Sequence, residues 1–118
     1  MDTVQDLHDA IQEKRDEIVE HPAWHVDLIG PEAEVLLKDQ PSGTYLLRQG
    51  EKADNYYLSF NDNGKLVHLP VKIDYPTKQW FYLNCLFHYG DSLKGFIPEI
   101  MHREEAECLP LVQFAKTK

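Results

Sequence analysis

Apolar and polar positions divide the chain into a helical head, a β-rich middle and a helical tail. Val4, Leu7, Ala10, Ile11 and Ile18, with Val19 beside them, return at three- or four-residue spacing among acidic side chains. That is one apolar stripe on an amphipathic helix, predicted over residues 3–20, with Asp2 or Thr3 as its cap and Pro22 as its stop. The stripe is thin, so the helix needs a partner: it either docks on its own domain or ends a longer linker. A second helix is predicted from Pro31 to Lys38. Proline suits its first turn, Glu32 and Glu34 suit the positive end of its macrodipole, and Val35, Leu36 and Leu37 form its buried side. The turn Asp39-Gln40-Pro41-Ser42-Gly43 closes it.

From Thr44 to about Leu83 the pattern is that of strands. Thr44-Tyr45-Leu46-Leu47-Arg48-Gln49 is apolar on both faces except at Arg48. Tyr56-Tyr57-Leu58-Ser59-Phe60 and Lys65-Leu66-Val67-His68-Leu69 flank Asn61-Asp62-Asn63-Gly64, an Asn-Gly hairpin signal. Trp80-Phe81-Tyr82-Leu83 reads as a further short strand. Helical spacing returns from Ser92 to Met101, with Asp91 or Ser92 as cap and Gly95 and Pro98 as weak points. An acidic loop, Glu104 to Glu107, leads into the apolar segment Leu109 to Phe114. The order predicts an α+β domain: a central antiparallel sheet flanked by two helices, plus the extra N-terminal helix. Residues 1–21 are the helix or linker and residues 22–118 the folded unit.

Composition narrows the class. With 118 residues, 42% apolar and 27% charged, the chain fits one globular domain. The net charge of −8 argues against a nucleic-acid binder, which needs a basic face. Residues 1–21 hold seven acids against Lys14 and Arg15, so −5 of the −8 lies there and a local basic pocket remains possible in the rest. No stretch approaches the roughly 20 apolar residues of a membrane span, and the acidic N-terminus lacks the order of a signal peptide. A monomer in the cytoplasm is expected. Cys85 and Cys108 are too few for a disulfide framework and are expected to be reduced, buried thiols. His21, His25, His88 and His102 are scattered, so no metal and no cofactor are expected. His68 with Cys85 or Cys108 makes a thiol–imidazole pair conceivable, yet nothing places a third orienting group nearby and no enzyme is expected.

Arg48 is the one cation in a run that otherwise wants burial. Strand side chains alternate, so Tyr45 and Leu47 face one side of the sheet while Leu46 and Arg48 face the other. With helices on both faces Arg48 starts buried, and an unpaired buried guanidinium commonly costs several kcal/mol. Its partner is either an internal carboxylate, Asp27 or Asp54 for example, or a dianion from outside, which the planar fork grips through two oxygens at once.

Five segments in order bear on that choice. They are Ala23-Trp24-His25-Val26, Ala33-Glu34-Val35-Leu36-Leu37, Gly43-Thr44-Tyr45-Leu46-Leu47-Arg48, Tyr56-Tyr57-Leu58-Ser59-Phe60 and Leu66-Val67-His68-Leu69, followed by Ser92-Leu93 with Phe96-Ile97. Together they resemble a Src-homology-2 (SH2) domain, whose hallmark Gly-x-Phe-Leu-Val-Arg matches the segment ending at Arg48. The resemblance implies binding of tyrosine-phosphorylated peptides or proteins as a signalling or adaptor module. Arg48 would hold the phosphate bidentately. Gly50, Glu51 and Lys52 belong to a loop, residues 49–55, that would wrap it with backbone N–H groups. Lys52 and Lys72 would add charge, and His68 would pack on the ring, with Ser59 in the same pocket. Residues after the phosphotyrosine would be read near Leu69, by Leu86, Phe87, His88 and Tyr89 in the loop 84–90, and by residues 102–108.

Three positions depart from the family pattern. Gly30-Pro31-Glu32 lacks the basic residue usual early in the first helix, Gly50 stands where a serine is usual, and Pro70 where a lysine is. Either Lys52, Lys72 and backbone amides compensate, or the chain is an SH2-like scaffold that makes protein contacts without phosphate. Such a divergent member would suit an unusual lineage, including a bacterial effector acting in a host cytoplasm.

Overall fold

Ile11 and Ile18 of α1 (Val4–Val19) lie on one side of the helix, and that side packs against a β-sheet. The structure is a computed structural model that describes residues 4–82 and 90–113, with side chains of the first helix from Leu7 onward. The sheet runs in sequence order: β1 (Trp24–His25), β2 (Thr44–Gln49), β3 (Asn55–Asp62), β4 (Lys65–Asp74) and β5 (Gln79–Phe81). β6 (Leu109–Pro110) returns beside the start of β2. β1 and β6 pair with β2 in parallel, and the β2–β3–β4–β5 pairs are antiparallel. Between β3 and β4 both central turn residues take positive φ, Asn63 at 54° and Gly64 at 93°. That is the type I′ geometry which an Asn-Gly pair supplies.

Alternation along the strands sorts the core. Tyr45, Leu47, Leu58, Phe60, Val71 and Ile73 face α1 and α3 (Leu93–Met101), which share one side of the sheet. There Tyr56 stands edge-on to Trp24 and to Trp80, with ring centroids 5.9 Å away in each case. Leu46 faces the other side, where α2 (Gly30–Leu37) covers it with Ala33 and Leu37.

α1 docks on the domain through polar contacts as well as its apolar side. Its Glu17 accepts the Trp80 indole N–H at 2.9 Å and the Leu93 N–H at 2.5 Å, and Lys14 Nζ donates to the Asp91 carbonyl at 2.6 Å. Glu17 thereby caps α3, because Ser92 precedes that helix without a side-chain capping bond. At the other end of α3 the Arg103 N–H reaches the Pro98 carbonyl and the His102 N–H reaches Glu99, with His102 left-handed at φ 57°. This is a Schellman closure in which histidine takes glycine's usual place.

Several expectations shift. Only Ala33 and Leu37 of α2 are buried, while Val35 and Leu36 are exposed. Three consecutive apolar residues span too wide an arc for one helix face, and the i, i+4 pair takes the core. β4 runs on through Pro70 to Asp74, well beyond Leu69. Cys108 is half-buried, its thiol on the Glu104 carbonyl at 3.5 Å. Cys85, Leu83 and Phe114 lie outside the described residues.

Candidate functional site

Register builds the site around Arg48. On the α2 side of the sheet β2 offers Arg48, β3 offers Tyr57 directly opposite it and Ser59 two residues on, and β4 offers His68 opposite Ser59. Arg48 is 7% exposed and Ser59 fully buried. Arg48 Nε donates to Ser59 Oγ at 3.2 Å, and Nη2 meets His68 Nδ1 at 3.2 Å. The Ser59 hydroxyl lies 2.7 Å from the same Nδ1, and His68 Nε2 lies 2.8 Å from Glu34 Oε2 on α2. Donors and acceptors close only if His68 carries its proton on Nε2, leaving Nδ1 to accept. The Tyr57 ring lies over the guanidinium with its centroid 4.6 Å from Cζ.

Two facts set the chemistry of this arginine. No carboxylate among the described residues forms an ion pair with it. Asp54 pairs instead with Arg15, and Asp27 forms no bond with Arg48. Burial pulls the guanidinium below its ordinary value, while Tyr57 and Glu34 work to raise it. In addition, Nη1 has no hydrogen-bond partner among the described residues, although no fully buried side-chain polar atom is left unpaired. Nη1 therefore keeps contact with the outside, and the arginine retains a donor edge for an anion.

Beside Arg48 the chain turns through residues 50–55. The Gly50 N–H donates to the Asn55 carbonyl at 2.8 Å and the Asn55 N–H to the Lys52 carbonyl at 3.0 Å, so these two amides close the loop. Among the described residues the N–H groups of Glu51, Lys52, Ala53 and Asp54 donate to nothing. A Cβ at Gly50 would come within 2.7 Å of the Asn55 carbonyl oxygen. The loop is too tight for the serine, which gives that departure a backbone cause. At Gly30 a Cβ would sit 3.4 Å from Arg48 Nη2, so the missing helix side chain would have lain directly over the guanidinium.

The candidate residues fall into two neighbouring groups. Arg48, Ser59 and His68 form the network above, with Ser59 behind the guanidinium and out of reach of any ligand. Gly50, Glu51, Lys52 and Lys72 line an adjoining recess of about 460 Å³ together with Phe81 and Pro70. Lys72 Nζ sits 5.2 Å from the Phe81 ring centroid. Tyr57 borders both groups, stacking on Arg48 and walling the recess. Leu69 points to the opposite face of the sheet, into a separate recess of about 520 Å³ lined also by Val67, Tyr82, Ile100, Met101 and His102. Leu86, Phe87, His88 and Tyr89 lie outside the described residues. The sequence reading missed Tyr57 and Glu34 as parts of the site. Strand alternation already puts Tyr57 on the face of Ser59; Glu34 had no comparable signal, because its contact depends on where α2 sits.

Among the described residues Arg48 is the one buried lysine or arginine, and no carboxylate bonds to it directly. A family model for the SH2 domain matches residues 24–87, and the chain belongs to that family. Among solved structures, the SH2 domain of the CRK/CRKL homolog (crka1) from Monosiga brevicollis, determined by solution NMR, is similar at 29% identity with a TM-score of 0.54. The match covers 67% of this chain and 75% of that one. No curated protein matches the chain. SH2 domains are binding modules for phosphotyrosine-containing segments in signalling and adaptor proteins. No helix among the described residues is long and apolar enough to cross a membrane.

Proposed function

We propose that residues 22–118 bind tyrosine-phosphorylated peptides or proteins, with the phosphate seated on Arg48. The observation that carries this reading is a buried guanidinium held by Ser59 and His68, with Nη1 open and no carboxylate bonded to it among the described residues. A dianion supplies direct counter-charge, where Glu34 acts only through His68 and at longer range, and its oxygens match the guanidinium edge. The phosphotyrosine ring enters beside His68, while the N–H groups of residues 51–54 and the ammonium of Lys52 close on the phosphate from the loop. Lys72, held over Phe81, acts at longer range. Successive residues of β4 point to opposite faces, so a peptide passing over Pro70 leaves its phosphotyrosine on the His68 side and reaches Leu69 on the other. The recess there is apolar at Ile100 and Met101 and holds the Arg103–Asp62 pair and Glu107 besides, so it favours an apolar residue after the phosphotyrosine.

A second reading draws on the Tyr57 stack and the empty positions at Gly30 and Gly50: Arg48 is fully supported by protein groups and the domain is a scaffold without a phosphate ligand. Fluorescence anisotropy separates the two. A degenerate phosphotyrosine peptide pool is titrated into wild type and into Arg48→Ala, with the unphosphorylated pool alongside. Binding that needs the phosphate and falls at least about a hundredfold in Arg48→Ala is expected, from the loss of charge-assisted bonds to a dianion. Binding indifferent to phosphate supports the scaffold.

A further inference from the structure

Helix α1 reaches the loop beside Arg48 through one buried acid. Asp54 ends that loop with a 5% exposed side chain and φ of 68°, a left-handed conformation that a residue other than glycine rarely keeps without support. Arg15 grips it bidentately, Nε on Oδ1 at 2.6 Å and Nη2 on Oδ2 at 2.9 Å. The Tyr75 hydroxyl donates to the same Oδ2, and the Asp54 carbonyl accepts the Ile73 N–H at 3.1 Å. The carboxylate is therefore held from α1 and from the segment between β4 and β5, and the backbone of the same residue is held by β4. The next residue, Asn55, closes the loop on Gly50, so the placement of Asp54 is passed on to the free N–H groups of Glu51, Lys52 and Ala53.

We propose that Arg15 is a positioning residue for this loop: through Asp54, α1 sets the affinity of the Arg48 site while touching no ligand. The proposal rests on the phosphotyrosine reading for its ligand, and on geometry alone for its action on the loop. The Arg15 side chain is 42% exposed. An ion pair open to solvent on that side adds little to global stability, whereas a two-point grip on a strained residue has a large effect on local geometry. The Arg15 bonds also hold the Asp54 carboxyl below its ordinary value, so the grip stays charged at neutral pH. α1 thereby becomes a handle: whatever moves it, including a preceding segment of a longer protein, retunes the loop.

Wild type, Arg15→Met and Arg15→Lys are compared well below their melting temperatures by anisotropy with the phosphotyrosine pool and by amide hydrogen exchange. Methionine keeps the aliphatic stem against the helix and removes the grip. Arg15→Met is expected to weaken binding about tenfold and to speed exchange of the Gly50 and Asn55 amides, the two that close the loop, with exchange in β2 and in the rest of β3 unchanged. Lysine restores part of both, a rescue that a purely structural role would not show. A folded Arg15→Met chain with unchanged affinity and unchanged loop exchange overturns the proposal. If wild type binds no phosphopeptide, the phosphotyrosine reading fails, and exchange decides the strut by itself: faster loop exchange upholds it and unchanged exchange overturns it. Should Arg15→Met melt too low to assay, Tyr75→Phe removes a bond from the same carboxylate and carries the same expected signs.

Discussion

Two of the three guanidinium nitrogens of Arg48 are used by the fold, Nε on Ser59 and Nη2 on His68, and the third has no partner among the described residues. Tyr57 adds a ring on the flat face of the same group. Face and edge are different surfaces of a guanidinium, so the stack fixes the plane of the fork and excludes water without occupying the edge an anion uses. Tyr57→Ala should therefore weaken phenyl phosphate binding by about 1 kcal/mol, roughly fivefold, while Tyr57→Phe stays close to wild type. Isothermal titration checks this, and tighter binding in the alanine variant would make the ring a plug and not a support. Arg48 was legible in the sequence because a lone cation in an apolar strand has few explanations. For Tyr57, alternation with Ser59 gives the face of the sheet, and the β2–β3 register adds that it stands directly opposite Arg48. The change at Gly50 was visible as a missing serine, but its cause, a Cβ clash with the Asn55 carbonyl, is a property of the folded loop.

At the scale of elements, the join between α1 and the sheet has a titrating group in it. His21 follows α1, and its Nδ1 accepts the Ala23 N–H at 3.0 Å. Its ring centroid lies 6.1 Å from that of Tyr45. Burial holds this imidazole below its ordinary value of 6.5, with Glu17 acting weakly the other way. Because the folded value is the lower one, the unfolded chain binds the proton first. Stability is then fully present above pH 6.5 and declines as the pH falls from there through the folded value. Thermal denaturation across that range should show the decline in wild type. His21→Asn, which keeps an acceptor and cannot take up the proton, should lose that part of the slope; an identical slope would remove His21 from the account. The helices were readable from periodicity, but their partners were not. The spacing of Ile11 and Ile18 gives α1 a buried face without saying that the face meets the sheet beside α3. In α2 the sequence offered Val35, Leu36 and Leu37 alike, and packing chose Leu37. β4 was read as ending before Pro70, yet β5 pairs only with residues 72–74. Among the described residues the partner of Pro70 is Tyr57 on β3.

For the molecule as a whole, the fold keeps its two recesses on opposite faces of one sheet and joins them across β4. Arg48, His68 and the loop lie on the α2 side, and Leu69, Ile100 and Met101 lie on the α3 side. The order of elements was legible because each segment carries its own signal: a capped helix, a cation in a strand, an Asn-Gly turn. The division of the site was not: Lys52, four residues past Arg48, and Lys72, on β4 beyond β3, line the recess that Tyr57 walls, and Arg48 does not. The most direct test is an NMR titration of arginine-labelled and amide-labelled chain with a phosphotyrosine peptide bearing an apolar residue downstream. The account predicts a saturable shift of the Arg48 Nε–H, together with the amides of residues 51–54 and of Leu69, Ile100 and Met101. The unphosphorylated peptide should produce none of these shifts. Shifts confined to residues around Lys72 and Phe81 with Arg48 unmoved, or shifts that do not depend on the phosphate, would contradict it.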